Sequence, residues 1–420
     1  MKLSSLLRAL MHGGTGVAFA VLLPRALSLA AQWVLALSSQ PAALAALANY
    51  MSRGMVVVSL VHAGLSPILA RRTRALATRA GRALAGGALA MIAALAFSIT
   101  LAHELALGLG GTAGLVTAFF SACSLLAAAS PSLWPLFQRE GRYLRSLAVL
   151  LVFSPGASML GALAGLPGAV ATAIGLAGAS PALLLLRPTR LRRAARYAMS
   201  IIRRSIPYSI ATFATVVVYP ISLSVNQEHI GEHRVGQQVL YWSFALALSN
   251  ASQAFAARAV SGASSSGDEA TWQARALRAW LPSGVALWAA GALIYALFAI
   301  PIPGIPHTGA ARDAMTATML VSVAGPLVTD TLCVYFSGPR SRRALPIGSV
   351  LSSACMAGCL LLAPAPLVRH FGVFGPSVLV GVARLAFVLD APVRRYTLGA
   401  MFLLIAAFAA ALALGQGVSF

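Results

Sequence analysis

The sequence predicts an all-α membrane protein. It reads as a polytopic helical bundle of about 13 transmembrane helices: two six-helix halves in parallel pseudo-repeat, plus one extra C-terminal helix. Three observations predict it. First, hydrophobic residues make up 59% of the 420 residues and charged residues only 10%, where a soluble domain carries roughly 25% charged residues. Second, the 31 Lys and Arg residues, set against 9 acids, gather at alternate loops. Third, short patterns recur in the same order in the two halves. The net charge of +22 would suggest nucleic acid in a soluble protein, and the placement of the cations excludes that partner here.

Apolar runs of about 20 residues read as spanning helices. They are Gly14–Leu37, Pro41–Ala70, Ala83–His103, Gly108–Ser130, Ser146–Leu166, Pro167–Leu186, Ser205–Asn226, Val235–Ala257, Ala276–Ile300, Asp313–Ser337, Pro346–Pro364, Phe371–Asp390 and Tyr396–Gly415. The fifth and sixth are split at Leu166/Pro167, because a single helix of about 40 apolar residues exceeds a bilayer. The N-terminal run is too long for a cleaved signal peptide and carries Pro24 and Arg25 inside it. Of the cations, 25 fall at the N-terminus and in every second loop, and only Arg234, Arg312 and Arg369 fall in the others. Translocating cations is disfavoured, so this alternation places the N-terminus in the cytoplasm and the C-terminus outside. Cys123, Cys333, Cys355 and Cys359 all lie inside predicted helices and read as small buried hydrophobes, not as a disulfide framework.

The second helix ends Gly64-Leu-Ser66-Pro-Ile-Leu-Ala70-Arg-Arg72, and the eighth ends Asn250-Ala-Ser252-Gln-Ala-Phe-Ala256-Ala-Arg258, 186 residues later. The fourth exits as Leu133-Trp-Pro-Leu-Phe137 and the tenth as Leu332-Cys-Val-Tyr-Phe336. A 6+6 duplication follows, with residues 1–187 as the first bundle, 188–204 as a basic cytoplasmic linker, 205–390 as the second bundle and 391–420 as the additional helix.

The end of the second helix, Ala63-Gly64-Leu65-Ser66-Pro67-Ile68-Leu69-Ala70-Arg71, joins Phe137-Gln-Arg-Glu-Gly141-Arg142-Tyr143, Arg204-Ser-Ile-Pro207-Tyr, Arg234-Val-Gly236 and Phe371-Gly372-Val-Phe-Gly375, all between residues 63 and 375. Across them the chain resembles the multidrug/oligosaccharidyl-lipid/polysaccharide exporter superfamily, most of all its polysaccharide/O-antigen and lipid II flippase branch. The resemblance implies two bundles around a central cavity and export of a lipid-linked glycan. It implies a bacterial inner-membrane location and glycan-assembly membrane proteins as partners. No cofactor and no enzymatic activity are expected.

Three cations sit inside predicted helices: Arg25, Arg53 and Arg384. Each costs roughly 2.5–3.5 kcal/mol at mid-membrane on insertion scales and needs a partner or a wet cavity. The acids read as interior are Asp330, and Asp390 near a helix end; Glu104 and Glu140 read as loop residues. A cationic cavity results, suited to an anionic substrate because guanidinium forks match phosphate oxygens. The bland alternatives are snorkelling to the interface or pairing with Asp330. Arg25, in Pro24-Arg25-Ala-Leu-Ser28, also resembles the first-helix arginine of lipid II flippases. Asn49, Gln237, Asn250 and Gln253 are candidates for sugar hydroxyls, with helix–helix hydrogen bonding as the plain reading. Asp330 and His62 are candidates for ion coupling. The external Glu228-His-Ile-Gly-Glu-His233 reads as a polar turn, not a metal site, and Ser261–Glu269 as a flexible linker.

Three functions follow from these residues: a polyprenyl-diphosphate oligosaccharide flippase working by alternating access, a drug/cation antiporter, and a membrane-embedded polyprenyl-dependent glycosyltransferase. Cationic drugs need membrane carboxylates, and the predicted external stretches are only about a dozen residues long, too short for a catalytic domain. The flippase reading is preferred.

Overall fold

The computed structural model describes residues 42–72, 76, 78–129, 132–133, 190–263, 269–298, 331–362, 385–388, 393–399 and 402. Among these residues there is no strand. The helices are α1 (Ala42–Arg71), α2 (Arg79–Ala106), α3 (Thr112–Ala128), α4 (Leu191–Ala263), α5 (Glu269–Phe298) and α6 (Pro339–Leu362), with a π-helical turn at Thr331–Tyr335.

The ends of α2 follow from local chemistry. Thr78 is extended at the N-cap, and its hydroxyl accepts from the Gly81 N–H at 3.0 Å. At the other end Gly108 takes φ 71°, a region open to a residue without Cβ, and the chain turns into α3. Small residues line the buried side of α2: Ala85, Gly86, Ala88, Ala93 and Ala96. Ala94, Leu95, Ser98, Ile99 and Ala102 form an exposed, mostly apolar stripe at helical spacing. Leu115 and Phe119 continue that exposure on α3. Such a continuous apolar surface fits hydrocarbon and would be a liability in water. Inside α2 and α3, Thr100, Thr117 and Ser121 donate to the carbonyl four residues back, so their hydroxyls are satisfied without water.

α4 has an unbroken helical ladder of 73 residues. Straight, it would reach about 110 Å at 1.5 Å per residue, several times the roughly 30 Å hydrocarbon core. Yet Tyr208 and Val260 belong to one core cluster, so the chain doubles back between them. Residues 228–233, expected as a turn, are helical.

Helices also begin earlier than hydropathy suggests. α5 starts at Glu269 and α6 at Pro339, because arginines that lower the hydropathy score are sound helix formers in the first turns. The expected linker 188–204 is helical from Leu191, and the flexible tract expected at 261–269 is helical up to Ala263 and again from Glu269.

Two hydrophobic cores hold the molecule. One gathers Val58, Leu65, Leu69, Leu89, Ile92, Leu125, Leu133, Ala198 and Ile201. The other gathers Tyr208, Val260, Leu277, Trp280, Tyr335, Phe336, Leu345 and Val393. Core membership changes between Ile201 and Tyr208, inside the continuous helix. The one residue on the wrong side of that division is Ala70, at the end of α1, which sits in the second core.

Candidate functional site

Two polar sites lie along α1, one inside the helix at Arg53 and one at its C-terminal end. Arg53 and Arg71 are 18 residues apart on that helix, about 27 Å by helical rise.

The first site is built by close approach. A Cβ on Gly54 would come within 2.9 Å of Phe120 Cδ1 and Ser121 Oγ, so α1 and α3 touch there. Ser121 Oγ fastens the crossing by donating to the Gly54 carbonyl at 3.1 Å. A Cβ on Gly114 would come within 2.8 Å of the Leu109 carbonyl oxygen and 3.3 Å of Glu104 Cβ, so the start of α3 lies close against the end of α2. Arg53 Nε then lies 3.7 Å from Glu104 Oε1. The carboxylate is wholly buried, while Arg53 is 28% exposed. His103 Nδ1 lies 3.8 Å from the same oxygen.

This geometry corrects the sequence reading. Glu104 was expected in a loop, outside the membrane interior. It is instead a buried residue of α2, which runs on to Ala106. Hydropathy trimmed the helix at His103, and the lone acid fell outside it. Arg53 therefore carries a counter-charge and adds little net charge to a cavity.

The second site lies at the arginine-rich end. Ser66 and Ser132 share a hydroxyl–hydroxyl hydrogen bond of 2.5 Å, and Ser132 also donates to the Ser66 carbonyl. Ser252 and Thr331 share one of 3.2 Å. Ser66 and Ser252 are the positions matched by the 186-residue repeat. Ser132 and Thr331 each stand one residue before the matched Leu133 and Leu332. A hydroxyl–hydroxyl bond thus occurs beside each pair of matched strings. In the second half the Trp280 indole N–H adds donations to the Ser252 hydroxyl and carbonyl, at 3.2 and 3.3 Å.

Arg71 reaches from the first half into the second. Its Nη2 donates to the Tyr335 carbonyl at 3.4 Å, and its Cζ lies 5.2 Å from the centre of the Trp272 ring. The Tyr335 carbonyl closes the π-helical turn, where the last carbonyls of a helix lack partners. Arg72 instead stays with α4, over the Tyr197 ring at 5.1 Å and donating to Ser200 Oγ at 3.4 Å. A Cβ on Gly64 would collide with the backbone and side chain of Ser205, so α1 and α4 are in tight contact beside the clasp.

Of the sequence-predicted residues, Arg53 and Gln253 have described side chains, and they are not brought together. Gln253 is half-buried next to Ser252, near the arginine-rich end. Asn49 and His62 lie on α1, and Gln237 and Asn250 on α4, with side chains outside the described part of the structure. Arg25, Asp330 and Arg384 lie outside the described residues, as does Asp390. Cys123 and Cys333 are buried and form no disulfide. Among the described residues no cluster of His, Cys, Asp and Glu could hold a metal. Sequence reasoning missed Glu104 and Arg71. Arg71 was absorbed into the count of orienting cations, although the Ser66 to Arg72 repeat had already marked its segment.

No family model and no curated protein matches the sequence. Solved structures do. An outward-facing MATE family transporter of the MOP superfamily superposes with TM-score 0.54, at 13% identity, over 93% of this chain and 97% of its own. The chain has the fold of the MOP-superfamily transporters. A eukaryotic MATE transporter gives 0.54 at 14% identity over 95% and 98% of the two chains. A MOP superfamily transporter from Pyrococcus furiosus, whose binding pocket is described as of reverse polarity and suggestive of a different function, gives 0.53 at 12% identity over 96% and 98%. The fold is all-helical and polytopic.

Proposed function

We propose that the protein is a flippase for a polyprenyl-diphosphate oligosaccharide, working by alternating access in a bacterial inner membrane. One observation carries the reading. Glu104, the buried acid of the first half, already faces Arg53. The only other acid in residues 1–187 is Glu140, flanked by Arg139 and Arg142. Arg25, in the middle of the first predicted helix, is thus left without an acid of its own half. A guanidinium at that depth calls for an anion or a wet cavity, and its fork matches diphosphate oxygens.

In this reading residues 1–187 and 205–390 are the two rocking bundles, and 188–204 is their seam. That fits the change of core between Ile201 and Tyr208. The arginine-rich end is cytoplasmic. Arg25 and Arg384 hold the diphosphate, and Asn49, Gln237, Asn250 and Gln253 meet sugar hydroxyls. An inside-negative potential drives the anion outward by about 2.3 kcal/mol per charge per 100 mV. Asp330 and His62 are the ion-coupling candidates, and the partners are lipid-linked glycan, bilayer lipid and other glycan-assembly membrane proteins.

The test is complementation of a strain that lacks the gene. Arg25→Ala should abolish surface glycan and leave the lipid-linked precursor facing the cytoplasm, while Arg25→Lys retains part of the export. Full complementation by Arg25→Ala would sink the reading.

The second reading, a drug/cation antiporter, gains from the same residue, because Glu104 is a carboxylate inside the first half. It is weaker because that carboxylate is buried against an arginine. Drug resistance conferred on a hypersensitive host, and lost in Asp330→Asn, would favour it.

A further inference from the structure

The geometry points to Arg71 as an anion-sensing latch: it holds the arginine-rich ends of the two bundles together and lets go when the diphosphate of an incoming substrate takes its guanidinium. The identity of that anion rests on the flippase reading above; the latch itself does not.

Four observations support the latch. Arg71 belongs to α1, but its contacts are Trp272 of α5 and the Tyr335 carbonyl, both in the second core. Ala70, the preceding residue, is 1% exposed inside that core. Ser66, one turn earlier, lies beside the buried Tyr335 phenol while bonded to Ser132. Gly64 lets Ser205 of α4 close against α1. These contacts pack the two bundles against each other at the arginine-rich end. Any carrier that exposes its cavity to this side must part them.

The chemistry of Arg71 explains how they would part. A guanidinium has five N–H donors. Here one makes a 3.4 Å bond to a neutral carbonyl, the plane rests on an indole, and Nε is buried with no hydrogen bond. No carboxylate among the described residues pairs with it. Diphosphate offers charged, bidentate acceptors, which bind a guanidinium about twice as strongly as neutral ones. An anion at the mouth therefore wins Arg71 from Tyr335 and Trp272, and the latch opens in response to cargo. The repeat makes the device one-sided, since the position equivalent to Arg71 in the second half is Ala257.

Ser205 reports the state of this seam. It is fully buried, and its hydroxyl bonds only within its own helix, to Ile202 O at 2.8 Å, so Ser205→Cys is a mild reporter. Purified full-length Ser205→Cys protein is labelled with a maleimide, against the parent protein with its native cysteines as baseline. The probe is inorganic pyrophosphate, with sulfate at matched ionic strength as control. Pyrophosphate should speed labelling severalfold and sulfate should not. Arg71→Ala should raise the ligand-free rate about tenfold, within the range of a partly desolvated cation–π contact, and remove the pyrophosphate response. Trp272→Leu keeps the arginine and an apolar side chain, and should raise the ligand-free rate as well. Unchanged ligand-free rates in both variants would overturn the latch. No pyrophosphate response in the Ser205→Cys protein, or an equal response in Arg71→Ala, would overturn anion sensing. The purified protein needs no glycan, so the two readings fail separately. A pyrophosphate response alongside full complementation by Arg25→Ala would remove the flippase and leave the latch.

Discussion

Glu104 shows how one acid changes the electrostatics of a membrane bundle. Its carboxylate has no exposed surface, and neither oxygen accepts a hydrogen bond among the described residues. It depends on the charge of Arg53. Removing one member of a buried pair strands the other, at a cost of about 3–5 kcal/mol for a fully buried pair. Arg53 is partly exposed, so the two single variants should differ. Arg53→Ala strands the fully buried carboxylate and should lower stability by about 3 kcal/mol, the low end of that range. Glu104→Gln strands the more solvated partner and should cost less. The double variant Arg53→Ala/Glu104→Gln should recover part of the loss. Thermal unfolding of the four proteins in detergent measures the coupling. Additive losses would mean that the pair contributes nothing.

At the scale of helices, two glycines set two different crossings. Gly54 lets α1 meet α3 at Phe120 and Ser121, and Gly64 lets α1 meet α4 at Ser205. In both cases a methyl group has no room. Gly54→Ala overpacks the interior of one half and should cost about 1–3 kcal/mol, read as a lower unfolding temperature. Gly64→Ala strains the seam itself, and a rigid-body opening can relieve that strain. Its signature should be faster maleimide labelling of Ser205→Cys, with a smaller loss of thermal stability than Gly54→Ala. An equal loss of stability in both, with Ser205→Cys still protected, would place the Gly64 crossing within one rigid body.

For the whole molecule, the alternation of arginines carries the topology. That alternation predicts thirteen spans with the N-terminus inside, and therefore a C-terminus outside. A C-terminal alkaline phosphatase fusion should therefore be active and a C-terminal green fluorescent protein fusion dark. The reverse pattern would mean an even number of spans. The repeated serine bonds bear on the same scale. Ser66 bonds to Ser132 and Ser252 to Thr331, each hydroxyl to hydroxyl between separate helical segments.

The class of the molecule was legible because it depends on sums. Helical content and membrane burial add up over hundreds of residues, and a few misplaced ends do not disturb them. Details that depend on a single side chain were not legible. Where α2 ended decided whether Glu104 was a solvated acid or a buried counter-ion, and a hydropathy average cannot weigh one charge against one partner. Arg71 was hidden differently. In sequence it is one of many arginines obeying the same transport rule, and nothing local sets it apart. Its partners Trp272 and Tyr335 lie about 200 and 264 residues away. By itself the sequence determined that this chain folds as a polytopic helical membrane protein, because hydrophobicity and charge asymmetry are properties of composition and order. Only the tertiary structure decided which arginine is neutralised and which one bridges the halves, because each of those facts is a distance between residues that the chain does not bring together until it folds.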